Sequence, residues 1–151
     1  ITGGGPGIME AGNRGASEVV GGMSIGINIQ LPREQRVNPY VNHGKGFHYF
    51  FTRKLMLTYS AQAYVYFPGG FGTLDEFTEI VTLIQTKKIA TNIPVILVGR
   101  EFWELFDQWI KTVVLEHNHA IDAEDRQIYT IVDSAEEAME IIRKSPPRTS
   151  F

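Results

Sequence analysis

Residues 68–76 combine residue types that can bind a phosphate. Their sequence, Pro-Gly-Gly-Phe-Gly-Thr-Leu-Asp-Glu, places Gly69, Gly70 and Gly72 within four positions. Backbone without Cβ atoms lets several N–H groups converge on one anion, and the start of a following helix adds unpaired donors and a positive dipole end. No Gly-Lys-Ser/Thr follows, so this is not a Walker A loop. We therefore expect an anion site here, with a phosphate as its ligand.

The same stretch also fits a purely structural interpretation. Thr73 and Glu76 have the T-x-x-E spacing of a capping box, in which each side chain satisfies the backbone N–H of the other residue. The local pattern supports both interpretations about equally. The additional glycines favour a ligand, because a helix cap alone does not require a backbone free of Cβ atoms.

The flanking residues predict where this stretch lies in the fold. Residues 63–67 form an apolar, aromatic run that predicts a buried strand, and residues 74–84 carry apolar side chains at helical spacing. The glycines therefore lie at a strand-to-helix turn. Open α/β sheets bind their ligands at this carboxyl end of the strands.

A second glycine-rich turn, residues 3–7, precedes a predicted helix over residues 8–16. No G-x-G-x-x-G can be laid over it, and the next predicted strand, residues 23–29, ends near Asn28 and Gln30 rather than at an acid that could bind a ribose. We therefore expect neither NAD nor FAD. Small residues in the helix indicate close packing on the sheet.

The middle of the chain predicts a loop and then a helix. Residues 31–46 contain two prolines and two glycines and predict a long loop, in which His43 is solvated. The same holds for His48, and no second ligand stands at metal spacing, so no metal is expected. Residues 46–61 predict a helix with a wide apolar surface: Phe47, Phe50, Phe51, Leu55, Met56 and Tyr59. Aromatic side chains here, such as those of Phe47, Tyr49 and Phe51, could equally serve a subunit interface or belong to the core.

Arg53 lies in the middle of this helix and shares a face with apolar side chains. Its stem could simply cover the core while the charge reaches water. Alternatively, its planar guanidinium could point into a pocket beside a carboxylate or phosphate. The sequence leaves the two alternatives open.

Strands and helices continue to alternate to the end of the chain. Strands are predicted over residues 93–99 and 128–132, helices over 101–117 and 134–144, and a loose tail over 145–151. Apolar spacing in the first of these helices predicts its buried face: Phe102, Leu105, Phe106, Trp109 and Val113. This alternation predicts an α/β, Rossmann-like fold with a parallel sheet and helices on both faces.

The totals limit the class of protein. The chain has 151 residues, which predicts one domain over 1–151, and a net charge of −3 with no basic tract, which argues against a nucleic-acid groove. It has no cysteine and no apolar run long enough to span a membrane, and we expect a cytoplasmic protein. Because Ile1 stands where a strand should end, we also expect a preceding strand and helix outside this sequence.

Three motifs together resemble the LONELY GUY (LOG) family: residues 3–11, the pair Arg53-Lys54, and residues 68–76. The resemblance covers about the first 100 residues. These proteins are phosphoribohydrolases that act on cytokinin riboside 5′-monophosphates and on nucleoside monophosphates such as AMP. They have carried the label of possible lysine decarboxylases, but we find no motif for the lysine that would bind pyridoxal phosphate, and we expect no cofactor.

The resemblance implies a role for each matched residue. Arg53 and Glu76 would be the catalytic pair, while Gly69, Gly70, Gly72 and Thr73 would bind the 5′-phosphate. Further substrate contacts would come from Gly4, Gly5, Lys54 and Asp75. The resemblance also implies a homodimer or larger oligomer with the active site near the subunit contact. The alternative is a non-catalytic nucleotide or molybdenum-cofactor carrier on the same fold, which would not need the Arg53 and Glu76 pair.

Overall fold

Helices and parallel strands make up the fold of the residues that the computed structural model describes, 1–30 and 37–148. These residues group into two units, which we treat separately: a first unit over Ile1–Ala61 and a second unit from Gln62 onward. In both units the strands pair in parallel and are flanked by helices. The α/β, Rossmann-like class that the sequence predicts is thereby confirmed.

The first unit contains α1 (Ile8–Ser17), β1 (Ile25–Ile29), β2 (His43–Phe47) and α2 (Phe50–Ser60). Strands β1 and β2 pair in parallel, from Ile25 opposite His43 to Ile29 opposite Phe47. On the chain before α1, Thr2 forms a parallel bridge with Gly26.

The long loop predicted over residues 31–46 is wrong for its last part. Residues 43–46 belong to β2, so His43 lies in an exposed strand, and residues 31–36 lie outside the described residues. Two glycines give β2 little intrinsic strand preference. The strand forms because its backbone pairs with β1. This is a long-range interaction, which cannot be predicted from the composition of the segment itself.

The second unit begins with β3 (Tyr64–Tyr66), α3 (Phe71–Gln85), β4 (Val95–Val98) and α4 (Arg100–Trp109). Helix α4 continues as a π-helix over Ile110–His117 and is followed by a 3₁₀-helix over Ala123–Gln127, β5 (Thr130–Val132) and α5 (Ala135–Lys144). The parallel sheet has the order β3-β4-β5. All four residues of its central strand are buried.

Helix α5 starts as its sequence predicts. The Ser134 side chain is the cap and accepts a hydrogen bond of 3.2 Å from the Glu137 backbone N–H. The predicted loose tail includes residues 149–151, which lie outside the described residues. Before them, the Arg148 backbone N–H donates to the Gln62 side-chain oxygen at 2.6 Å.

The predicted buried face of α4 is wrong in part. Leu105 and Trp109 are 71% and 51% exposed, whereas the neighbouring Trp103 is fully buried. Trp103 packs against Phe77 with ring centroids 5.5 Å apart. Its indole nitrogen has no hydrogen-bond partner among the residues that the structure describes. Two adjacent aromatic stripes on one helix have the same spacing, so periodicity could not tell which one faces the sheet.

None of the helices in the described part of the chain is both long enough and apolar enough to span a membrane.

Candidate functional site

The glycine-rich turn of the second unit leads directly into α3. Gly70 is the N-cap, in an extended conformation, and the N–H groups of Thr73 and Leu74 both donate to its carbonyl, at 3.0 and 3.2 Å. No side chain caps the helix. Thr73 therefore lies inside the first turn rather than at its cap, and the interpretation of Thr73 and Glu76 as a capping box is wrong.

The glycines of this turn differ in what surrounds them. A Cβ atom at Gly69 would overlap the Thr73 hydroxyl, so the close approach of that side chain explains Gly69. Apart from its chain neighbours and the backbone of its own helix, a Cβ atom at Gly70 or Gly72 would meet no atom of the described residues within 4 Å, and neither glycine has positive φ. Nothing in residues 1–30 and 37–148 therefore requires glycine at these two positions, which are exposed to solvent.

Hydrogen-bond donors are available at this turn. The N–H groups that precede that of Thr73 at the start of α3 have no acceptor within their own helix, as in any α-helix, and the helix dipole places partial positive charge there. The Thr73 hydroxyl makes no hydrogen bond within residues 1–30 and 37–148. Together with open glycines, these groups form a surface that suits an anion.

Glu76 and Asp75 follow in the same helix. Glu76 is half-buried and Asp75 is exposed. The Tyr66 hydroxyl on β3 donates to the Glu76 backbone carbonyl at 3.2 Å. Burial, and then the negative charge of Glu76, raises the pKa of Tyr66, so this phenol remains a neutral donor that ties α3 to the sheet. No local sequence pattern indicated this role of Tyr66.

The glycine-rich turn of the first unit is shaped by the protein itself. Gly4 is buried with a φ of 75°, and a Cβ atom there would overlap the Asn28 side-chain oxygen. A Cβ atom at Gly5, also buried, would stand 2.6 Å from the Met9 methyl carbon. Both glycines are explained by internal packing, and their contact with a substrate stays a prediction.

A buried amide holds this first turn in place. The Asn13 oxygen accepts hydrogen bonds from the Thr2 hydroxyl at 2.6 Å and the Asn38 amide at 2.9 Å. The Asn13 amide nitrogen donates to the Ser24 hydroxyl at 2.9 Å and the Ile25 carbonyl at 3.3 Å. All four of its hydrogen-bond capacities are thus used. Sequence reasoning missed this network, because a lone asparagine in a helix has no local signature.

Asn38 extends the network to the backbone of the turn. Its N–H donates to the Gly4 carbonyl at 2.9 Å, and its side-chain amide donates to the Gly5 carbonyl at 3.0 Å. Hydrogen bonds from Asn38 to these two backbone carbonyls therefore hold the turn in its conformation.

Arg53 reaches the same turn from α2. Its Nε donates to the Ile27 carbonyl at 2.9 Å, and its Nη2 lies 2.8 Å from the place that a Cβ atom of Gly3 would occupy. The guanidinium is thus positioned by the backbone instead of extending into water, which argues against the simple snorkelling interpretation. The neighbouring Lys54 is half-buried.

The apolar surface predicted on α2 is not core. Phe51 is 69% exposed and Leu55 52%, and three other members of the predicted surface are also exposed: Phe50, Met56 and Tyr59. Among the described residues, no three His, Cys, Asp or Glu side chains form a group that could hold a metal ion.

Comparison with known proteins gives a family match over most of the chain. Residues 9–142 match the family model described as "Possible lysine decarboxylase". The match includes the residues 53, 54 and 68–76 singled out above. No curated protein sequence matches the chain at a significant level.

Proposed function

The chain belongs to the family described as possible lysine decarboxylase, which contains the LOG proteins, and on that premise we propose that it is a nucleoside 5′-monophosphate phosphoribohydrolase. Its substrate would be AMP or a cytokinin riboside monophosphate, its products the free base and ribose 5-phosphate, and its place of action the cytoplasm. On the second substrate, the reaction would serve cytokinin biosynthesis.

The surroundings of Gly70 and Gly72 are the observation that best supports this proposal. Both are glycines without a steric or conformational need for glycine inside the protein, at the start of a helix and beside the hydroxyl of Thr73. A phosphate in close contact with the backbone explains both. In the proposed complex, these glycines, with Gly69 and Thr73, bind the 5′-phosphate.

The proposed reaction breaks the bond between ribose C1′ and the base nitrogen. The oxygen of water bonds to C1′, and the base leaves with the bonding electron pair. One proton of the water is transferred to the departing base, and the other stays on the new C1′ hydroxyl. Positive charge develops on the ribose as the bond breaks, as in glycoside hydrolysis. The Glu76 carboxylate stabilises this charge and orients the water, while the Arg53 guanidinium steadies the anionic substrate. The bound phosphate, remote from C1′, positions the sugar.

Base release tests the proposal directly. Wild-type protein is incubated with AMP and with isopentenyladenosine monophosphate, and free base is measured by chromatography. The variant Glu76→Gln keeps the shape of the side chain and removes its charge, so we expect release to fall at least about 100-fold. AMP affinity, measured by calorimetry, should stay within about threefold, because the phosphate contacts remain.

A matched control is Glu104→Gln on α4, where the carboxylate is exposed and, within the described part of the chain, pairs with Arg100 alone. Its activity should equal that of the wild type. Equal activity in Glu76→Gln would remove this carboxylate from the chemistry. AMP binding without base release in the wild type would instead support a nucleotide carrier.

We also propose that the enzyme is a homodimer or larger homo-oligomer. The exposed apolar side chains of α2 support this, since large apolar patches on a protein surface commonly mark interaction sites. Light scattering after size-exclusion chromatography tests it, with Phe51→Ser expected to shift the wild-type oligomer toward monomer. A monomeric wild type at micromolar concentration would contradict it.

A further inference from the structure

A cavity of about 140 Å³ lies in the second unit, away from the glycine-rich turn. Its walls come from the later turns of α3, the end of α4, the π-helix and the 3₁₀-helix. The residues of α3 that line it start at Phe77, whereas the turn precedes Phe71. None of the residues singled out for phosphate binding or catalysis lines it.

Aromatic rings dominate the inner part of this cavity. Phe77 is 2% exposed, and its ring meets those of Tyr129 and Phe106 edge-to-face, with centroids 5.4 and 5.9 Å apart. The side chains of Val81 and Val114 form an aliphatic part of the cavity wall. An aromatic guest could extend this edge-to-face arrangement, the geometry that ring quadrupoles prefer.

The polar groups around the cavity are already paired with one another. Arg126 donates to both oxygens of Asp107, at 3.3 and 2.6 Å, and the Tyr129 hydroxyl donates to the same carboxylate at 2.7 Å. The Gln85 amide donates to Asp125 at 2.7 Å. A charged guest would have to break these pairs or lose its hydration without compensation. The pairing therefore favours an uncharged guest.

The size of the cavity limits the guest to a single ring. An apolar cavity of about 150 Å³ engineered into another protein binds benzene. The π-helix contributes Ile110 and Val114 to the wall. Such wide helical turns are rare and are frequently found at functional sites.

We propose that this cavity is a binding site for a small, uncharged molecule with a single aromatic ring. The site is separate from the proposed phosphate site, and its existence does not depend on the proposed hydrolysis.

A titration of the full chain with benzene, followed by NMR of its methyl groups, tests the proposal. We expect saturable shifts confined to the methyl groups of the aliphatic residues that line the cavity, Val81, Ile110, Val114 and Ile121, with a dissociation constant of about 1 mM or below. Benzoate should bind at least about tenfold more weakly, because its carboxylate finds no unpaired partner. Absent or scattered benzene shifts, or benzoate binding as tight as that of benzene, would overturn the proposal.

Filling the cavity provides the matched variants. Val81→Phe places a ring inside it and should abolish the benzene shifts, and Val114→Phe should do so from another wall if the first variant does not fold. Leu105→Phe makes the same kind of change at a 71% exposed position that does not line the cavity, and should bind benzene as the wild type does. Unchanged benzene binding in a folded cavity variant would place the benzene elsewhere and contradict the proposal.

Discussion

The two glycine-rich turns resemble each other in sequence and differ in what occupies the space around their glycines. In the first unit, Gly4 and Gly5 are buried, and side chains of the protein stand where their Cβ atoms would be. In the second unit, Gly70 and Gly72 are exposed and have open space at those positions. The first turn needs Gly4 and Gly5 for its own packing, whereas the second turn has Gly70 and Gly72 without any such need among the described residues.

The two turns therefore have glycine for different reasons: internal packing in the first and, in the proposed complex, contact with a ligand in the second. Where the protein fills the space, substitution of the glycine should cost stability. Where the space is open, substitution should cost stability little and should affect whatever binds there. Amino-acid substitutions in the two units can test this difference.

The largest effect is expected for Asn13→Ala, which removes the amide that holds the first turn. It removes one hydrogen-bond partner from each of the Thr2, Ser24 and Asn38 side chains, and each such loss in a buried network costs about 1–3 kcal/mol. We expect the free energy of unfolding to fall by about 3–5 kcal/mol in urea titrations followed by circular dichroism. Asn118→Ala, at an exposed amide of the second unit, is the control, with a loss below about 1 kcal/mol. Equal losses in the two variants would contradict the role given to Asn13.

Alanine at the two kinds of glycine should act in opposite ways. Gly4→Ala combines positive φ with an overlap on Asn28, and we expect a loss of about 2–4 kcal/mol in the free energy of unfolding. Gly70→Ala should change it by less than about 1 kcal/mol but weaken AMP binding at least about tenfold, measured by calorimetry. If Gly70→Ala bound AMP as tightly as the wild type, the explanation of the open turn by a ligand would fail.

Thr73→Val tests the hydroxyl at the open turn. The change keeps the side-chain shape and removes a hydroxyl that has no hydrogen bond among the described residues, so stability should change little. AMP affinity should fall about tenfold, which corresponds to about 1.4 kcal/mol. Thr112→Val, which removes a surface hydroxyl that donates to the Gln108 carbonyl, serves as control and should bind AMP normally. Unaltered affinity in Thr73→Val would exclude its hydroxyl from the phosphate site.

The smallest effect concerns pH and separates the polar networks of the two units. Burial favours a higher pKa for Asp107, but hydrogen bonds from Arg126 and Tyr129 outweigh it and hold this pKa below its ordinary value. The carboxylate therefore stabilises the fold above the ordinary pKa of aspartate, and this contribution is lost as the pH falls through the lowered pKa. Asp107→Asn should lower the free energy of unfolding by about 1 kcal/mol at pH 7, and by less near pH 3.

The neutral network of the first unit gives the matching comparison. Amides and hydroxyls do not titrate in this range, so the loss caused by Asn13→Ala should be the same at pH 7 and near pH 3. Urea titrations of both variants at the two pH values measure this. A loss for Asp107→Asn that is equally independent of pH would contradict the assignment of its effect to the carboxylate.

Features written into consecutive residues could be predicted from the sequence. The strand and helix on either side of residues 68–72 follow from apolar runs and periodicity, and the start of α5 follows from Ser134 and Glu137. The glycines themselves pointed to both turns. In each of these cases the deciding interactions lie within a few residues of one another.

Features decided by distant residues could not be predicted. Strand β2 exists because it pairs with β1, and Trp103 rather than Leu105 is buried because of where α4 packs on the sheet. The hydrogen bonds of Asn13 reach residues 11 to 25 positions away along the chain. The distinction between a filled and an open glycine turn also depends on such neighbours, so the sequence alone could not make it.

The burial of Trp103 gives the molecule an optical reporter. The chain has two tryptophans, Trp103 and Trp109, and neither lies in the first unit. An indole that is fully buried without a hydrogen bond emits at short wavelength and is shielded from iodide, whereas the half-exposed Trp109 is open to quenching. With Trp109→Phe, the emission of the remaining tryptophan follows the second unit alone, so fluorescence beside circular dichroism can reveal whether the two units unfold together or in separate steps.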